Sequence, residues 1–198
     1  MKIKKLIYHL YEKSLWNQIK NDSKPHHIGV ILDGNRRYAR EKGMDGTEGH
    51  TYGADKVEEL LRWCSKLDIK IVTLFAFSTE NFNRSEKEVS MLMGLLTKTL
   101  KKLQTDPLVT ENKIRVRVIG KLEYLSDEMN KEIVKVEEQT KDNDSFLLNI
   151  ALSYGGRTEI VDAVKKIAER VKKGDLAIED INEDILAENL YTKGIPDP

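Results

Sequence analysis

Short apolar segments alternate with longer amphipathic segments along the chain, and this alternation restricts the fold more than any other feature. Period-two or continuous apolar runs predict strands, whereas apolar residues three and four apart predict helices. Strands are expected at 28–32, 69–77, 114–119 and 146–152, and helices at 54–67, 86–103, 126–141, 157–172 and 183–190. Strands separated by helices run parallel, with helices covering both faces. We therefore expect an α/β fold with a single layer of mostly parallel strands flanked by helices.

Composition excludes several classes of protein. The 198 residues are 39% hydrophobic and 33% charged, which is typical of a globular chain with a real core. Lys and Arg number 33 and Asp and Glu number 33, so no global positive field favours a nucleic-acid partner. The single cysteine, Cys64, excludes an internal disulfide. No apolar run reaches the length of a membrane span, and we expect a cytoplasmic location.

The first 24 residues differ from the rest of the chain and are expected to form a separate unit, an amphipathic helix over 3–19 and a polar linker. Lysines flank the apolar stripe, which is compatible with peripheral membrane contact. The favoured alternative is a helix docked on its own domain, because Glu12, Asn17 and Gln18 dilute the basic character. Residues 25–198 are expected to form one domain. The glycine-dotted segment 41–53 reads as polar and irregular.

Three unusual segments come directly after predicted strands: 33–40, 78–84 and 153–157. Each contains an arginine, and the carboxyl ends of parallel strands form one rim where ligands bind. In the first segment, Asp33 and Gly34 precede Arg36 and Arg37, an order that suits a metal held against a polyphosphate. Taken alone, this segment fits an ion pair on a solvated helix start equally well. Convergence of three such segments on one rim favours the functional interpretation.

Familiar nucleotide and metal motifs are absent. The chain has neither G-x-x-x-x-G-K-[ST] nor G-x-G-x-x-G, and its histidines lack zinc-type spacing. His26 and His27 precede the first strand and are expected to shape a turn. His50, near the first rim segment, is the better ligand candidate.

Several motifs in order resemble the cis-prenyltransferase family, typified by undecaprenyl and dehydrodolichyl diphosphate synthases. They are HIGVILDGNRRYAR (27–40), Glu48-Gly49-His50, LFAFSTENFNR (74–84), Ile119-Gly120, and LNIA (148–151) with YGGR (154–157). The resemblance spans about residues 25–198. The double arginine and the N-terminal helix look more like archaeal and eukaryotic members than like the common bacterial enzyme.

The resemblance implies a transferase that condenses isopentenyl diphosphate units in cis onto an allylic prenyl diphosphate primer, farnesyl or geranylgeranyl diphosphate, with Mg²⁺ as cofactor. The product would be the precursor of a lipid glycosyl carrier. Asp33 would hold the metal and Asn81 would assist the isopentenyl unit in catalysis. The other expected substrate-binding residues are Gly34, Asn35, Arg36, Arg37, Tyr38, His50, Ser78, Thr79, Glu80, Phe82 and Arg84. A homodimer is also implied.

The chain departs from the family pattern at two places. The family often has an arginine where Gly46 stands, and it continues beyond Pro198 into further strands that complete the isopentenyl diphosphate site. On this basis we expect an incomplete sheet with a bare edge, lacking its last strands. We also expect a truncated form with little or no chain elongation.

Two other functions compete with a cis-prenyltransferase. The first is a non-catalytic partner subunit of a heteromeric enzyme, although such partners typically lose the Asp-Gly-Asn-x-Arg signature that is intact at 33–37. The second is a trans-type prenyltransferase, which requires an all-helical fold and paired aspartate-rich motifs. The predicted strands argue against that second alternative.

Overall fold

The computed structural model describes residues 2–198, except for the side chains of residues 2–6 and 46–47. Four parallel strands form one sheet in the order β1-β2-β4-β3. They are β1 (His27–Ile31), β2 (Ile71–Ser78), β3 (Ile114–Ile119) and β4 (Phe146–Tyr154). The helices are α1 (Lys2–Ile19), α2 (Asn35–Glu41), α3 (Gly46–Lys66), α4 (Glu86–Leu103), α5 (Pro107–Glu111), α6 (Asp127–Thr140), α7 (Gly156–Lys173) and α8 (Glu183–Ala187). The predicted α/β fold is confirmed.

One face of the sheet forms the main core. Alternate residues of each strand point to this face, and in β2 and β4 they include Val72, Leu74, Leu148 and Leu152, each at most 4% exposed. They belong to one apolar cluster with residues of three helices: Leu61 and Cys64 of α3, Leu92 and Leu100 of α4, and Met129, Ile133 and Val136 of α6. This cluster fixes the sheet and therefore the position of the loops at its carboxyl end.

A row of polar side chains crosses the opposite face. The His27 imidazole Nε2 lies 2.8 Å from Thr73 Oγ1, and Asn149 Nδ2 donates to that same hydroxyl at 3.1 Å. His27 Nδ1 lies 2.5 Å from the carbonyl oxygen of Pro196. His27 is therefore a buried residue of β1 that ties the segment around Pro196 to the sheet, and the expectation that it shapes a turn is wrong.

The segment 41–53 is more helical than predicted, because α3 begins at Gly46. Two of its glycines, Gly49 and Gly53, serve close packing rather than a loop. A Cβ at position 49 would lie 2.4 Å from the carbonyl oxygen of Asn35, and one at position 53 would lie 2.5 Å from Asn35 Oδ1. Glycines four apart on α3 thus let α2 cross at short range. The family often has an arginine at position 46, but this position is not among those whose side chains the structure describes.

Helix α1 is more exposed than expected for a docked helix. Its large apolar side chains from Ile7 to Ile19 are all between 37% and 73% exposed, while Ile3 and Leu6 of the predicted stripe lie outside the described side chains. An apolar groove separates Leu15, Trp16 and Ile19 from Trp63 and Leu67 of α3. Within the described residues, no helix combines the length and hydrophobicity needed to cross a membrane.

The two edge strands differ in how their outer sides are covered. Side chains of α6 accept hydrogen bonds from backbone N–H groups of β3. Thr140 Oγ1 accepts from the Val116 N–H at 3.0 Å, and Glu137 Oε1 accepts from the Val118 N–H at 2.8 Å. Asn143 Nδ2, just beyond α6, donates to the Ile114 carbonyl at 2.8 Å. Strand β1 has no strand on its outer side among the described residues. Of the two edge strands, only β1 therefore corresponds to the bare edge expected from the sequence, because side chains occupy the hydrogen-bonding groups with which β3 could pair with another strand.

Replacing Thr140 with valine tests this covering. The isosteric change leaves the buried Val116 N–H without its acceptor, and Thr140 itself is 4% exposed. We expect the free energy of unfolding to fall by about 1–3 kcal/mol in urea denaturation. The control Glu138→Gln alters an exposed carboxylate that pairs with the neighbouring Lys141, and it should change stability by less than about 0.5 kcal/mol. Wild-type stability of Thr140→Val would contradict this role.

Candidate active site

The turn after β1 presents the first group of polar residues. Gly34 has φ +89° and precedes α2, a left-handed conformation that favours glycine over residues with a Cβ. Its N–H donates to Oδ1 of Asp33 at 2.6 Å, which folds the exposed carboxylate back over the turn. Asp33 is therefore held at the carboxyl end of β1 through one of its two carboxylate oxygens.

The turn after β2 presents the second group. Residues 79–83 form a 3₁₀ turn in which Ser78 and Asn81 cap each other. The Ser78 N–H donates to Asn81 Oδ1 at 3.0 Å, and the Asn81 N–H donates to Ser78 Oγ at 3.2 Å. The Arg84 N–H then bonds to the Asn81 carbonyl at 3.1 Å. This closed arrangement directs Arg84 out of the turn and toward the end of β1.

These two turns meet around a cavity of about 270 Å³. Their meeting results from the parallel pairing of β1 and β2, in which Ile31 is opposite Phe75. The lining residues are Leu32, Asp33, Gly34, Asn35, Arg36, Arg37, Arg40, His50 and Arg84. Four of them are arginines, which stay charged at any physiological pH and donate in a fixed fork suited to phosphate. The cavity is therefore suited to a highly charged oxyanion.

His50 contributes an unpaired polar atom to this cavity. Its Nε2 is buried and has no hydrogen-bond partner among the described residues. Burial lowers the pKa of His50 below its ordinary value of 6.5, and the charges of Arg84 and Arg36 lower the pKa further, while Glu88 opposes them. A buried ring nitrogen without a partner costs stability, and in the tautomer with a proton on Nε2 it can donate to a ligand oxygen.

Glu88 was not among the residues predicted for the site, whereas Arg40 is the third arginine of the predicted rim segment 33–40. Glu88 Oε1 accepts from Arg84 Nη1 at 2.9 Å and lies 3.7 Å from Arg36 Nη1, while Arg40 lines the cavity. The spacing of Arg84 and Glu88, four apart across the start of α4, is the sequence signal that could have found the pair. Arg40 stands four residues after Arg36 on the same face of α2.

One carboxylate is available here for a metal. Asp33 is the only acidic residue lining the cavity, and the described residues contain no group of three or more His, Cys, Asp or Glu that could hold an ion. Mg²⁺ keeps several waters and is commonly bound through one or two carboxylates together with substrate phosphates. The donor set therefore fits a magnesium ion that arrives with a diphosphate, and it does not fit a metal held by protein groups alone.

An apolar groove of about 430 Å³ lies beside the cationic cavity. The two share Leu32, Asp33, Gly34 and Asn35. The groove runs between β1 and α3 and is lined further by Val30, Ile31, Tyr38, Gly49, Tyr52, Gly53, Lys56, Val57 and Leu60. Tyr38 lies here rather than in the cavity, stacked on Tyr52 with ring centroids 4.9 Å apart. A ligand with a charged head and an apolar tail matches this adjacent pair of spaces.

The remaining predicted residues lie around the second turn, outside the lining of the cationic cavity. Ser78 and Asn81 hold the turn, and Phe82 packs edge to face on Phe77 with centroids 4.9 Å apart. The predicted third rim segment, 153–157, approaches the back of this turn, since a Cβ at position 155 would lie 2.9 Å from Thr79 Oγ1. The substrate roles of Ser78, Thr79, Glu80, Asn81 and Phe82 stay predictions.

The state of His50 can be measured directly. Because its pKa in the folded protein is lowered, the imidazole is neutral at pH 7 without a ligand. Its contribution to stability is present above pH 6.5 and is lost as pH falls through the lowered value, because the unfolded chain binds the proton first. We expect an NMR titration, assigned with His50→Gln, to give a midpoint below 6.5. A midpoint at or above 6.5 would contradict the geometry of the cavity.

Comparison with known proteins identifies the family of this chain. Residues 31–198 match the sequence model of a family described as "Putative undecaprenyl diphosphate synthase". The tritrans,polycis-undecaprenyl-diphosphate synthase (geranylgeranyl-diphosphate specific) of Archaeoglobus fulgidus is 46% identical over 190 residues, which are 96% of this chain and 76% of that protein. The protein of the same name from Methanocaldococcus jannaschii is 46% identical over 189 residues, 96% of this chain and 68% of the relative.

Solved structures agree with the sequence comparison. Lavandulyl diphosphate synthase from Lavandula x intermedia, in complex with dimethylallyl diphosphate, matches with a TM-score of 0.79 and 33% identity over 85% of this chain and 71% of that chain. A probable undecaprenyl diphosphate synthase from Campylobacter jejuni matches with a TM-score of 0.66 and 33% identity, over 85% of this chain and 70% of that chain.

These matches extend over nearly the whole of this chain, and they do not support the expectation that it is inactive. They also agree with the motifs at 27–40 and 74–84, which supply the two turns of the cationic cavity. The chain belongs to the undecaprenyl diphosphate synthase family of cis-prenyltransferases.

Proposed function

We propose that this protein elongates an allylic prenyl diphosphate by adding isopentenyl diphosphate units in cis, with geranylgeranyl diphosphate as the preferred primer. The observation that carries this proposal is the cationic cavity with the unpaired Nε2 of His50, which shares four lining residues with an adjacent apolar groove. The names of the archaeal relatives support the choice of primer over farnesyl diphosphate. The product would be the polyprenyl diphosphate precursor of a lipid glycosyl carrier.

The cavity would receive the primer diphosphate. Arg36, Arg37 and Arg84 provide fixed positive charge, and the turn at Gly34 and Asn35 brings backbone close to the ligand. His50 would donate from Nε2, which the neutral imidazole can do in the tautomer that carries its proton on that nitrogen. As the allylic C–O bond breaks, the diphosphate leaves with the electron pair, and preorganised cations stabilise the charge that develops on it.

Asp33 would hold Mg²⁺ together with the phosphate oxygens. The exposed position of this carboxylate at the mouth of the cavity fits such a shared ion. When bound, the ion supplies further neutralisation of the leaving group. The residues of the chain perform the other tasks, which are to orient the diphosphate, to keep its charge paired and to direct its prenyl tail away from water.

The prenyl tail would extend from the groove beside β1 toward α4. Val57 lines this groove, and it also lines an apolar cavity of about 300 Å³ between α3 and α4 that includes Leu61, Leu95 and Leu103. We infer that a growing chain occupies this route, a refinement of the tunnel expected beside the helix at 86–103.

The second turn would serve the isopentenyl unit. Asn81 Oδ1 is committed to the Ser78 N–H, so the part of Asn81 left for the substrate is its amide nitrogen. The amide would position the unit whose double bond attacks the allylic carbon and which then loses a proton. Thr79 and Glu80 would contact its diphosphate or metal, and Phe82 would support the turn from the core side.

A non-catalytic partner subunit is the competing proposal. Such a subunit has no need for Asp33 at the mouth of a cavity lined by four arginines, and all of these residues are in place. The intact constellation supports an enzyme. The decisive observation is turnover by the protein itself.

The direct test is incubation with isopentenyl diphosphate, geranylgeranyl or farnesyl diphosphate and Mg²⁺, followed by chromatography of the prenyl products. We expect long cis-polyprenyl diphosphates, formed fastest from geranylgeranyl diphosphate. Asp33→Ala should lower turnover by about 10³-fold or more without unfolding. The control Asp142→Ala, at the exposed end of α6, should keep wild-type turnover. Elongation by Asp33→Ala at the wild-type rate would overturn the role of Asp33, and no product from folded wild-type protein would overturn the activity.

We also propose that the protein is a homodimer and contacts membranes through α1. Residues 1–24 carry six lysines against Glu12 and Asp22, while the whole chain has no net charge. The lysines would be attracted to an anionic membrane surface, and the exposed side chains of Ile7 and Leu10 would enter its interface. Light scattering tests the dimer.

Vesicle flotation tests the membrane contact. We expect wild type to float with phosphatidylglycerol vesicles, and Ile7→Ser/Leu10→Ser to float several-fold less because about 2 kcal/mol or more of apolar burial is removed. The control Ile178→Ser removes an apolar side chain that is 69% exposed elsewhere, and it should float like wild type. Equal flotation of the double variant and the control would contradict a role for α1.

A further inference from the structure

A carboxylate lies behind two of the arginines that line the cationic cavity. Glu88 is in the first turn of α4, where the Ser85 hydroxyl caps its N–H at 3.3 Å. Its Oε1 accepts from Arg84 Nη1 at 2.9 Å and lies 3.7 Å from Arg36 Nη1. One carboxylate oxygen therefore serves two guanidinium groups that would both face a bound diphosphate.

The two arginines are held unequally. The Arg84 side chain is 24% exposed and makes a hydrogen bond to Glu88, whereas the Arg36 side chain is 59% exposed and its contact is too long for one. A long and exposed ion pair of this kind contributes little to stability. Arg36 can therefore leave Glu88 at small cost, while Arg84 stays in place.

Glu88 lies on the far side of the cavity wall from the ligand space. It lines a neighbouring cavity of about 250 Å³ that shares only Arg36 and His50 with the cationic cavity. Its charge nevertheless acts through this wall, because Glu88 raises the pKa of His50 against the effects of burial and the two arginines. A residue in this position influences the diphosphate without touching it.

We propose that Glu88 is a positioning residue that fixes Arg84 at the cavity wall and restrains Arg36 until a diphosphate takes over the Arg36 guanidinium. This inference rests on the proposed function of the cavity as a diphosphate site. Glu88 Oε1 is shared with Arg84 and lies 3.7 Å from Arg36, whereas a phosphate oxygen can form a charge-assisted hydrogen bond with the Arg36 guanidinium. Transfer of Arg36 from Glu88 to the diphosphate is therefore favourable. The negative charge of Glu88 also limits diphosphate affinity, which favours release of the leaving group after each addition.

Inorganic pyrophosphate is the probe for this exchange, and its binding is measured by calorimetry at low salt. Glu88→Gln keeps an acceptor oxygen for Arg84 but removes the charge that restrains Arg36. We expect pyrophosphate to bind about 3–10-fold more tightly, with the gain shrinking as salt is added. The matched control is Glu86→Gln, the same charge change at an exposed position of the same helical turn, which should alter binding by less than about 2-fold.

Two further measurements separate positioning from a structural role. Arg36→Gln should weaken pyrophosphate binding more in the Glu88→Gln background than in wild type, because only there is Arg36 unrestrained. In the ligand-free protein, Glu88→Gln should lower the pKa of His50 further, and Glu86→Gln should not.

Unchanged or weaker pyrophosphate binding by Glu88→Gln, with wild type binding normally, would overturn the inference while leaving the diphosphate site intact. A merely structural role of Glu88 predicts that weakening, together with a lower melting temperature. Failure of wild type itself to bind pyrophosphate would overturn the proposed function of the cavity, and this inference with it.

Discussion

Positive charge gathered in one place is the condition on which the site depends. Guanidinium groups of α2 and of the turn after β2 surround a cavity of about 270 Å³, and their like charges repel one another more strongly there than in bulk water. The fold tolerates this cost because the parallel pairing of β1 and β2 leaves no other position for the two turns. Glu88 offsets part of the repulsion from behind. The energy stored in this way becomes available when an anion binds.

Other packing in the molecule serves to keep these turns in place. Gly49 and Gly53 let α2 lie directly on α3, with Asn35 between them, and this close packing sets the position of α2 at the cavity. The reciprocal caps of Ser78 and Asn81 close the second turn without help from a ligand. Both devices act before any substrate arrives, which is the preorganisation that electrostatic stabilisation of a leaving group requires.

The sequence was sufficient for the sheet and for the identity of the first turn. The strand 146–152 is short and apolar apart from Asn149, and Asp33 with three nearby arginines is recognisable without structure. The sequence was not sufficient to predict that the segment 46–53 is helical. Its glycines are typical of loops, but here they permit close contact with α2, and this contact cannot be read from the segment alone. The prediction for His27 was wrong for the same reason, since its buried contacts to Thr73 and Pro196 come from distant parts of the chain. Glu88 lies outside the conspicuous motif and acts only through the arginines it pairs with.

In the proposed function, the cavity between the two turns binds the diphosphate of a prenyl primer. A crystal structure with a non-reactive thiolo analogue of geranylgeranyl diphosphate and Mg²⁺ tests it most directly. We expect diphosphate oxygens within hydrogen-bond distance of His50 Nε2 and the Arg36 and Arg84 guanidinium groups, Asp33 beside the metal, and the tail in the groove along Val30 and Leu60. A diphosphate bound elsewhere, with this cavity filled by water alone, would contradict the claim.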